Sequence, residues 1–372
     1  MHKKTAIVYD WIDKWGGVER VLLTLHRMFP DAPFFTSLYN PLSASWAQNL
    51  TIIPSFLRNV PRPLQKRALL VPLYPIAFES FDFSMFDTVI SVTSSFAKGI
   101  ITKPQTRHLS YVLTPPRFLW SHKNAYGNGG LRALTSPVYA HLQSWDMLAA
   151  KRPDKLVAIS DTARTRCMDI YKQESTVVYP PFDTDYWDRL AQNPSSQPPR
   201  IAKPYYLAVG RMERYKRFDL VIQAAQLRKD LFFVLVGTGT QQARLMRTAP
   251  QNCLFLDHIT DQELISLYAH AEGLLMPQEE DFGYVALEAQ YHGCPVLAYG
   301  KGGATETVEE GETGLFFREQ TAVSLVTQLA RLGKISYNLK RSLVTVKQKV
   351  KNTFGEKRFE TDFFYQLSTL TR

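Results

Sequence analysis

No part of the 372-residue chain limits its fold as tightly as the stretch from Met276 to Gly314. The apolar run Gly273-Leu274-Leu275-Met276 has the length and composition of a buried strand. It leads into an acidic loop, Glu279-Glu280-Asp281, turns on Gly283 and starts a helix. Strand, acidic loop and helix together make the geometry of a site. Glu280 falls in the loop and Glu288 in the helix, eight residues on, a little over two turns, so both carboxylates lie on roughly one side and could share a polar ligand. A second strand at Pro295–Tyr299 is followed by Gly300-Lys301-Gly302-Gly303 and by Ala304 to Glu306 opening another helix. A glycine pair turning into a helix lets backbone N–H groups approach an anion. An acidic loop ahead of a helix is also how a charged helix start looks.

The length favours two domains, since one core seldom serves so long a chain. With 45% hydrophobic and 21% charged residues the composition is globular. Three cysteines, Cys167, Cys253 and Cys294, stand far apart in no metal spacing, which points to buried thiols in a reducing compartment without disulfides. The apolar start Thr5–Tyr9 stops at Asp10, too short for a signal peptide, and no apolar run reaches the roughly 18 residues of a membrane span. A cytoplasmic protein is expected, peripheral on the membrane's inner face if it touches lipid. The net charge of +10 is uneven: residues 1–200 hold 23 Lys and Arg against 15 Asp and Glu, and residues 201–372 hold 21 against 19. The basic first half calls for an anionic partner, nucleic acid or a phospholipid surface. No nucleic-acid motif accompanies it, so nucleic acid is not expected. Residues 54–79 intersperse Arg58, Arg62, Lys66 and Arg67 with Phe56, Leu57, Leu64, Leu69 and Leu70. That pattern suits a membrane interface or a basic surface over a core face, and four prolines rule out one long helix.

Thr5–Tyr9 reads as a first strand, Gly16-Gly17 as a turn, and Val18, Val21, Leu22, Leu25 and Met28 as the apolar stripe of a helix. Strands recur at Thr88–Val92, His108–Leu113, Lys155–Ser160 and Thr176–Tyr179, with crossovers between, which implies a parallel sheet. A mobile loop is expected over Asn124–Gly130 and a helix over Ser136–Ala150. Arg117, in Leu113-Thr-Pro-Pro-Arg117-Phe-Leu-Trp120, has a guanidinium that suits a phosphate. Asp183-Thr-Asp185 has the look of a metal motif but sits between a proline pair and a Pro/Ser-rich linker, so no metal is assigned.

The second half restarts with the strand Tyr205–Val209, which runs into Gly210-Arg211-x4-Lys216. Two cations at the carboxyl edge of a sheet can neutralise a diphosphate and stabilise it as a leaving group, although exposed Arg and Lys are also ordinary surface. Phe232–Gly237 is another strand, ending in a Gly237-x-Gly239 that a helix-start turn needs in any case.

These stretches together resemble the family 4 retaining glycosyltransferases, most closely bacterial O-antigen and exopolysaccharide mannosyltransferase-like members. Glu280-Asp-Phe-Gly-Tyr-Val-Ala-Leu-Glu288, His292-Gly293, Pro295-Val296, Gly302-Gly303, Glu306 and Gly311-x-Thr313-Gly314 match its Glu-x7-Glu region. The resemblance implies an α/β fold of the GT-B type, two Rossmann-like domains with parallel sheets facing a central cleft. It divides the chain into an acceptor-binding domain at 1–190, a linker at 191–203, a nucleotide-sugar domain at 204–353 and a closing helix at 354–372. It implies transfer of a sugar, mannose from GDP-mannose first or another such as a UDP-sugar, to a lipid-linked or saccharide acceptor with retention, and no cofactor. Arg211 and Lys216 would hold the diphosphate, Glu280 the donor sugar with amides of Phe282 and Gly283, Glu288 the ribose, Ile259 the base, and Gly16-Gly17 the donor phosphates. Two positions depart from the pattern: Leu113 where the family usually has a histidine, for which His108 and His122 are candidate substitutes, and Asp257 where a glycine is usual. A sugar-nucleotide epimerase of the same architecture and a catalytically silent sugar-nucleotide-binding partner remain as rivals.

Overall fold

A computed structural model describes residues 4–61, 64–121, 129–192, 201 and 203–370. The chain divides into two compact units, the first made of Met1–Pro181 with Lys357–Arg372 and the second of Phe182–Glu356. The sequence expectations for His122, Arg62, residues 124–128 and most of the linker fall outside the described residues.

The first unit is built on seven parallel strands: β1 (Thr5–Tyr9), β2 (Phe34–Thr36), β3 (Ile52–Pro54), β4 (Thr88–Thr93), β5 (Arg107–Val112), β6 (Lys155–Ala158) and β7 (Thr176–Val177). Their order is β3-β2-β1-β4-β5-β6-β7. All six residues of β4, TVISVT, are buried, as a parallel strand covered on both faces requires. β7 is shorter than expected, because Pro180 and Pro181 follow closely and have no N–H for the ladder. Helix α1 (Val18–Met28) buries Val21, Leu22 and Leu25, the stripe legible in the sequence. From the end of the chain, Phe359 and Phe363 set their rings against Tyr111 of β5, both at 5.9 Å.

The basic segment is broken by its prolines into α2 (Arg67–Leu70), α3 (Tyr74–Glu79) and short 3-10 turns. Leu57, Leu70, Tyr74, Ala77 and Phe78 enter the core, whereas Phe56, Leu64, Leu69, Leu73 and Ile76 are exposed. No helix among the described residues is long and apolar enough to cross a membrane.

The second unit has six parallel strands: β8 (Tyr205–Val209), β9 (Phe232–Val236), β10 (Cys253–Leu256), β11 (Gly273–Met276), β12 (Val296–Tyr299) and β13 (Gly314–Phe317), in the order β10-β9-β8-β11-β12-β13. Successive side chains alternate between faces. Leu207, Val234, Leu274 and Val296 meet α9 (Asp261–His270) and α10 (Tyr284–Tyr291). Ala208, Leu235, Leu275 and Leu297 meet α7 (Phe218–Leu227) and α12 (Ala322–Arg341). The chain winds outward from β8 to β10 and returns on the other side of β8 with β11, whose Gly273 and Leu274 pair with Tyr206 and Leu207. The loops after β8 and β11 therefore part at the carboxyl edge of the sheet. Ligands of doubly wound folds bind at such a reversal of strand order.

Candidate active site

Of the cations and acids singled out in the sequence, Lys216 and Glu280 meet at that reversal. The loop leaving β8 carries Arg211 and Lys216, and the loop leaving β11 carries Glu280. Lys216 Nζ donates to Glu280 Oε1, with only 14% and 15% of the two side chains exposed. Gln278 Nε2 donates to the same oxygen at 2.8 Å. Arg211 is exposed and its Nη2 donates to the Tyr215 hydroxyl at 3.3 Å. So mostly shielded a pair feels a lower effective dielectric than water, which strengthens any further charge brought to it.

The acidic loop is held from its far side by the glycine pair. Gly303 N donates to Glu280 O at 2.8 Å, and Glu280 and Gly302 form an isolated parallel bridge. A Cβ on Gly302 would lie 2.4 Å from Glu280 O, and one on Gly303 would lie 2.4 Å from Phe282 Cα. This corrects the anion expectation for that turn: the Gly303 amide is committed to the acidic loop, and the glycines are needed for backbone against backbone. Gly283 takes φ +97° ahead of α10, and Phe282 is buried with its ring 5.2 Å from Tyr284 and 5.6 Å from Phe354.

Glu288 lies on α10, 5% exposed, and accepts from the Tyr268 hydroxyl at 3.2 Å. The two acids thus have different partners, Lys216 for Glu280 and Tyr268 for Glu288. Tyr268 stacks at 5° on His292, whose ring also meets Trp187 and Tyr291. Burial, then the charge of Lys347, pushes the His292 imidazole down to about 4, with Asp188 opposing. Ile259 sits in the turn between β10 and α9, half-buried against the core, and Thr260 and Glu263 close a capping box just after it.

The Gly237-x-Gly239 pair has more to do than open a helix. A Cβ on Gly237 would meet Gly210 O at 2.1 Å, and one on Gly239 would meet Met212 O at 2.6 Å. The loop bearing Arg211 therefore packs on the loop after β9, joined by Met212 N to Thr238 O at 2.8 Å. A tight approach between two loops distant in sequence leaves no periodic signal, which is why sequence reading missed it.

In the first unit the equivalent reversal lies between β1 and β4. Buried Asp10, at the end of β1, accepts from the Ser94, Phe96 and Ala97 amides at 2.7 to 2.8 Å and from Thr93 Oγ1 at 3.1 Å. Gly16 and Gly17 lead into α1, and Glu19 is 4% exposed, its carboxyl pushed by burial up to about 7 while the amides of Glu19 and Gly16 oppose. Arg117 is half-buried in the turn after β5. In the same unit, Lys98 and Asp146 form a buried ion pair at 2.5 Å, and Asp146 Oδ2 accepts from Trp120 Nε1 at 2.8 Å and the Tyr171 hydroxyl at 2.9 Å. Lys98 gave no pattern in the sequence. His108, a candidate substitute for the family histidine, lies fully buried near the start of β5 with Nε2 2.8 Å from Ser91 Oγ, and burial, then Arg152, drives it down to about 3. It is a neutral core histidine, remote in the strand from Leu113. Asp183 Oδ1 caps α6 (Thr184–Gln192) through the Tyr186 amide at 2.8 Å, which accounts for one of the two acids of the metal-like motif.

Comparison with known proteins shows what this second unit is similar to. Residues 192–348 match the family model described as glycosyl transferases group 1. The group 1 match contains Arg211, Lys216, Ile259, Glu280 and Glu288 and all six strands of the second sheet. A glycogen synthase of Mycobacterium tuberculosis is 29% identical over 196 residues, 49% of this chain and 45% of that protein. This chain therefore spans less than half the length of that relative. A GDP-mannose-dependent alpha-(1-6)-phosphatidylinositol monomannoside mannosyltransferase of Mycolicibacterium smegmatis is 27% identical over 217 residues, 50% of this chain and 56% of that one. Among solved structures, Anabaena HepE in complex with UDP and glucose aligns with a TM-score of 0.70 at 16% identity over 99% of this chain and 100% of its own. That likeness shows the fold expected from the sequence, the two parallel-sheet α/β domains of GT-B glycosyltransferases.

Proposed function

We propose that the protein is a retaining, metal-independent glycosyltransferase that takes a hexose from a nucleoside diphosphate sugar and passes it to a lipid-linked or saccharide acceptor. The observation that carries this reading is the Lys216–Glu280 pair standing over the strand reversal of the second unit, with Glu288 on the adjoining helix. Arg211 and Lys216 stabilise the departing diphosphate, the charge that grows in the transition state. The bond from the anomeric carbon to the diphosphate breaks as the acceptor hydroxyl adds on the same face, its proton passing to the departing oxygen. Glu280 takes donor-sugar hydroxyls with the Phe282 and Gly283 amides beside it. Glu288 takes the ribose hydroxyls, and the main chain at Ile259 the base.

In the first unit, Gly16 and Gly17 are the candidates for the donor's phosphates and Arg117 for a phosphate on the acceptor. The M. smegmatis relative's name supports GDP-mannose as the first donor to try, and UDP in the HepE complex makes UDP-sugars the second. Exposed Phe56, Leu64, Leu69, Leu73 and Ile76, 38% to 58% accessible, alternate with exposed Arg58 and Lys66 and support docking on an anionic membrane where a lipid-linked acceptor would be found.

The test is a panel of nucleotide sugars screened for thermal stabilisation, then assayed for transfer with and without acceptor, with chelator present. A donor that raises the melting temperature and yields a retained glycoside only when acceptor is added supports the reading. Turnover of the sugar without any acceptor, giving an epimer, would overturn it.

A further inference from the structure

Arg217 follows Lys216 directly and adopts φ 54°, ψ 34°, the left-handed region that a non-glycine residue seldom occupies. Glycine would take this conformation without strain, so the arginine side chain must be fixed by what it touches. Its fork grips Asp219, from Nε at 3.1 and 3.3 Å and from Nη2 at 3.2 Å. The remaining arm, Nη1, donates to Gln320 Oε1 at 2.9 Å, and Gln320 Nε2 donates to Pro277 O at 2.8 Å. Pro277 directly follows β11 and stands three residues before Glu280. A short relay of hydrogen bonds thus joins the residue after Lys216 to the backbone that leads to Glu280.

We propose that Arg217 and Gln320 form a strap that sets the spacing of the Lys216–Glu280 pair, Gly302 and Gly303 holding the acidic loop from its other side. The two strap residues are positioning residues: they touch neither substrate nor the reacting atoms. The catalytic half of this inference rests on the glycosyltransferase reading. The strap itself does not.

Arg217→Gly removes the side chain while suiting the backbone, so the variant should fold. Gln320→Ala cuts the same relay at its other link. Hydrogen exchange on the 372-residue chain should show the amides of residues 278–282 exchanging on the order of tenfold faster in both variants, with the strands of the second unit unchanged. Turnover should fall on the order of tenfold in each with the donor KM within about twofold, and the double variant should be no worse than either single, since one relay can be cut only once. Unchanged exchange at 278–282 in both variants overturns the strap whatever the activity. Faster exchange with full turnover, or losses that multiply in the double variant, overturns its positioning role. A wild-type chain that transfers no sugar from any donor defeats the glycosyltransferase reading instead, and the exchange result then decides the strap alone.

Discussion

Lys216 and Glu280 lie in loops 64 positions apart in the chain and meet only because β8 and β11 are neighbours. In Lys216→Ala the account expects turnover to fall on the order of a hundredfold, with a smaller change in donor KM, because the cation acts on charge that develops in the transition state. Steady-state kinetics check it, and full turnover would remove Lys216 from the role. Glu288→Gln should weaken donor binding by about one to two decades, the worth of a charged hydrogen-bonded contact of roughly 1.5 to 3 kcal/mol, and a 2′-deoxyribose donor should narrow that gap between the two proteins. Calorimetric titration of both donors measures it. His292 supplies a pH signature of folding. Its imidazole is held down to about 4 when folded and titrates near 6.5 when unfolded, so the unfolded chain binds the extra proton and stability falls as pH drops from about 6.5 to about 4, by roughly 3 kcal/mol in all. His292→Phe should flatten the denaturation profile over that window by about one proton, and an unchanged slope would count against burial as the cause. At this scale the charged residues of the candidate site stand out in the sequence, since Gly-Arg-x4-Lys and Glu-x7-Glu are local spacings. The partners Tyr268, Gln278 and Gln320 were not, because polar residues in ordinary helices and turns show their use only when another loop arrives beside them.

Among elements, the parallel strands could be read directly: FFVLV and GLLM are continuous apolar runs because both faces of the sheet are covered. The glycine turns were harder. Gly302-Gly303 looked like an anion cradle, and its demand turned out to be contact with the Glu280–Phe282 backbone. A methyl group at residue 303 has nowhere to go, so Gly303→Ala should destabilise the second unit by about 1 to 3 kcal/mol through forced shifts of the acidic loop. Gly333 makes the control, since it lies inside α12 with nothing within 4 Å of a Cβ, and Gly333→Ala should stabilise by about 0.5 to 1 kcal/mol. Urea denaturation of the pair should give shifts of opposite sign. Residues 54–79 were ambiguous in sequence because they serve both roles at once: one face joins the core and the other presents apolar and basic side chains outward.

For the whole molecule, the reading of an α/β chain with two parallel sheets followed from alternating strands and helices on either side of the Pro/Ser-rich stretch expected as a linker at 191–203, whereas the contacts divide at residue 181. The basic excess belongs to residues 1–200, and the second half, nearly balanced at 21 cations to 19 acids, carries two of its cations, Arg211 and Lys216, in the loop after β8 where the strand order reverses. The donor's base and sugar are not written in either sheet, because main chain near Ile259 and a handful of side chains would choose them. The measurement that bears most directly on the central claim is a structure of the protein soaked with a nucleoside diphosphate sugar. The account expects phosphate oxygens within hydrogen-bond distance of Arg211 and Lys216, with the ribose hydroxyls on Glu288. Density for the compound at another place, with Lys216 still on Glu280 and Glu288 still on Tyr268, would contradict it.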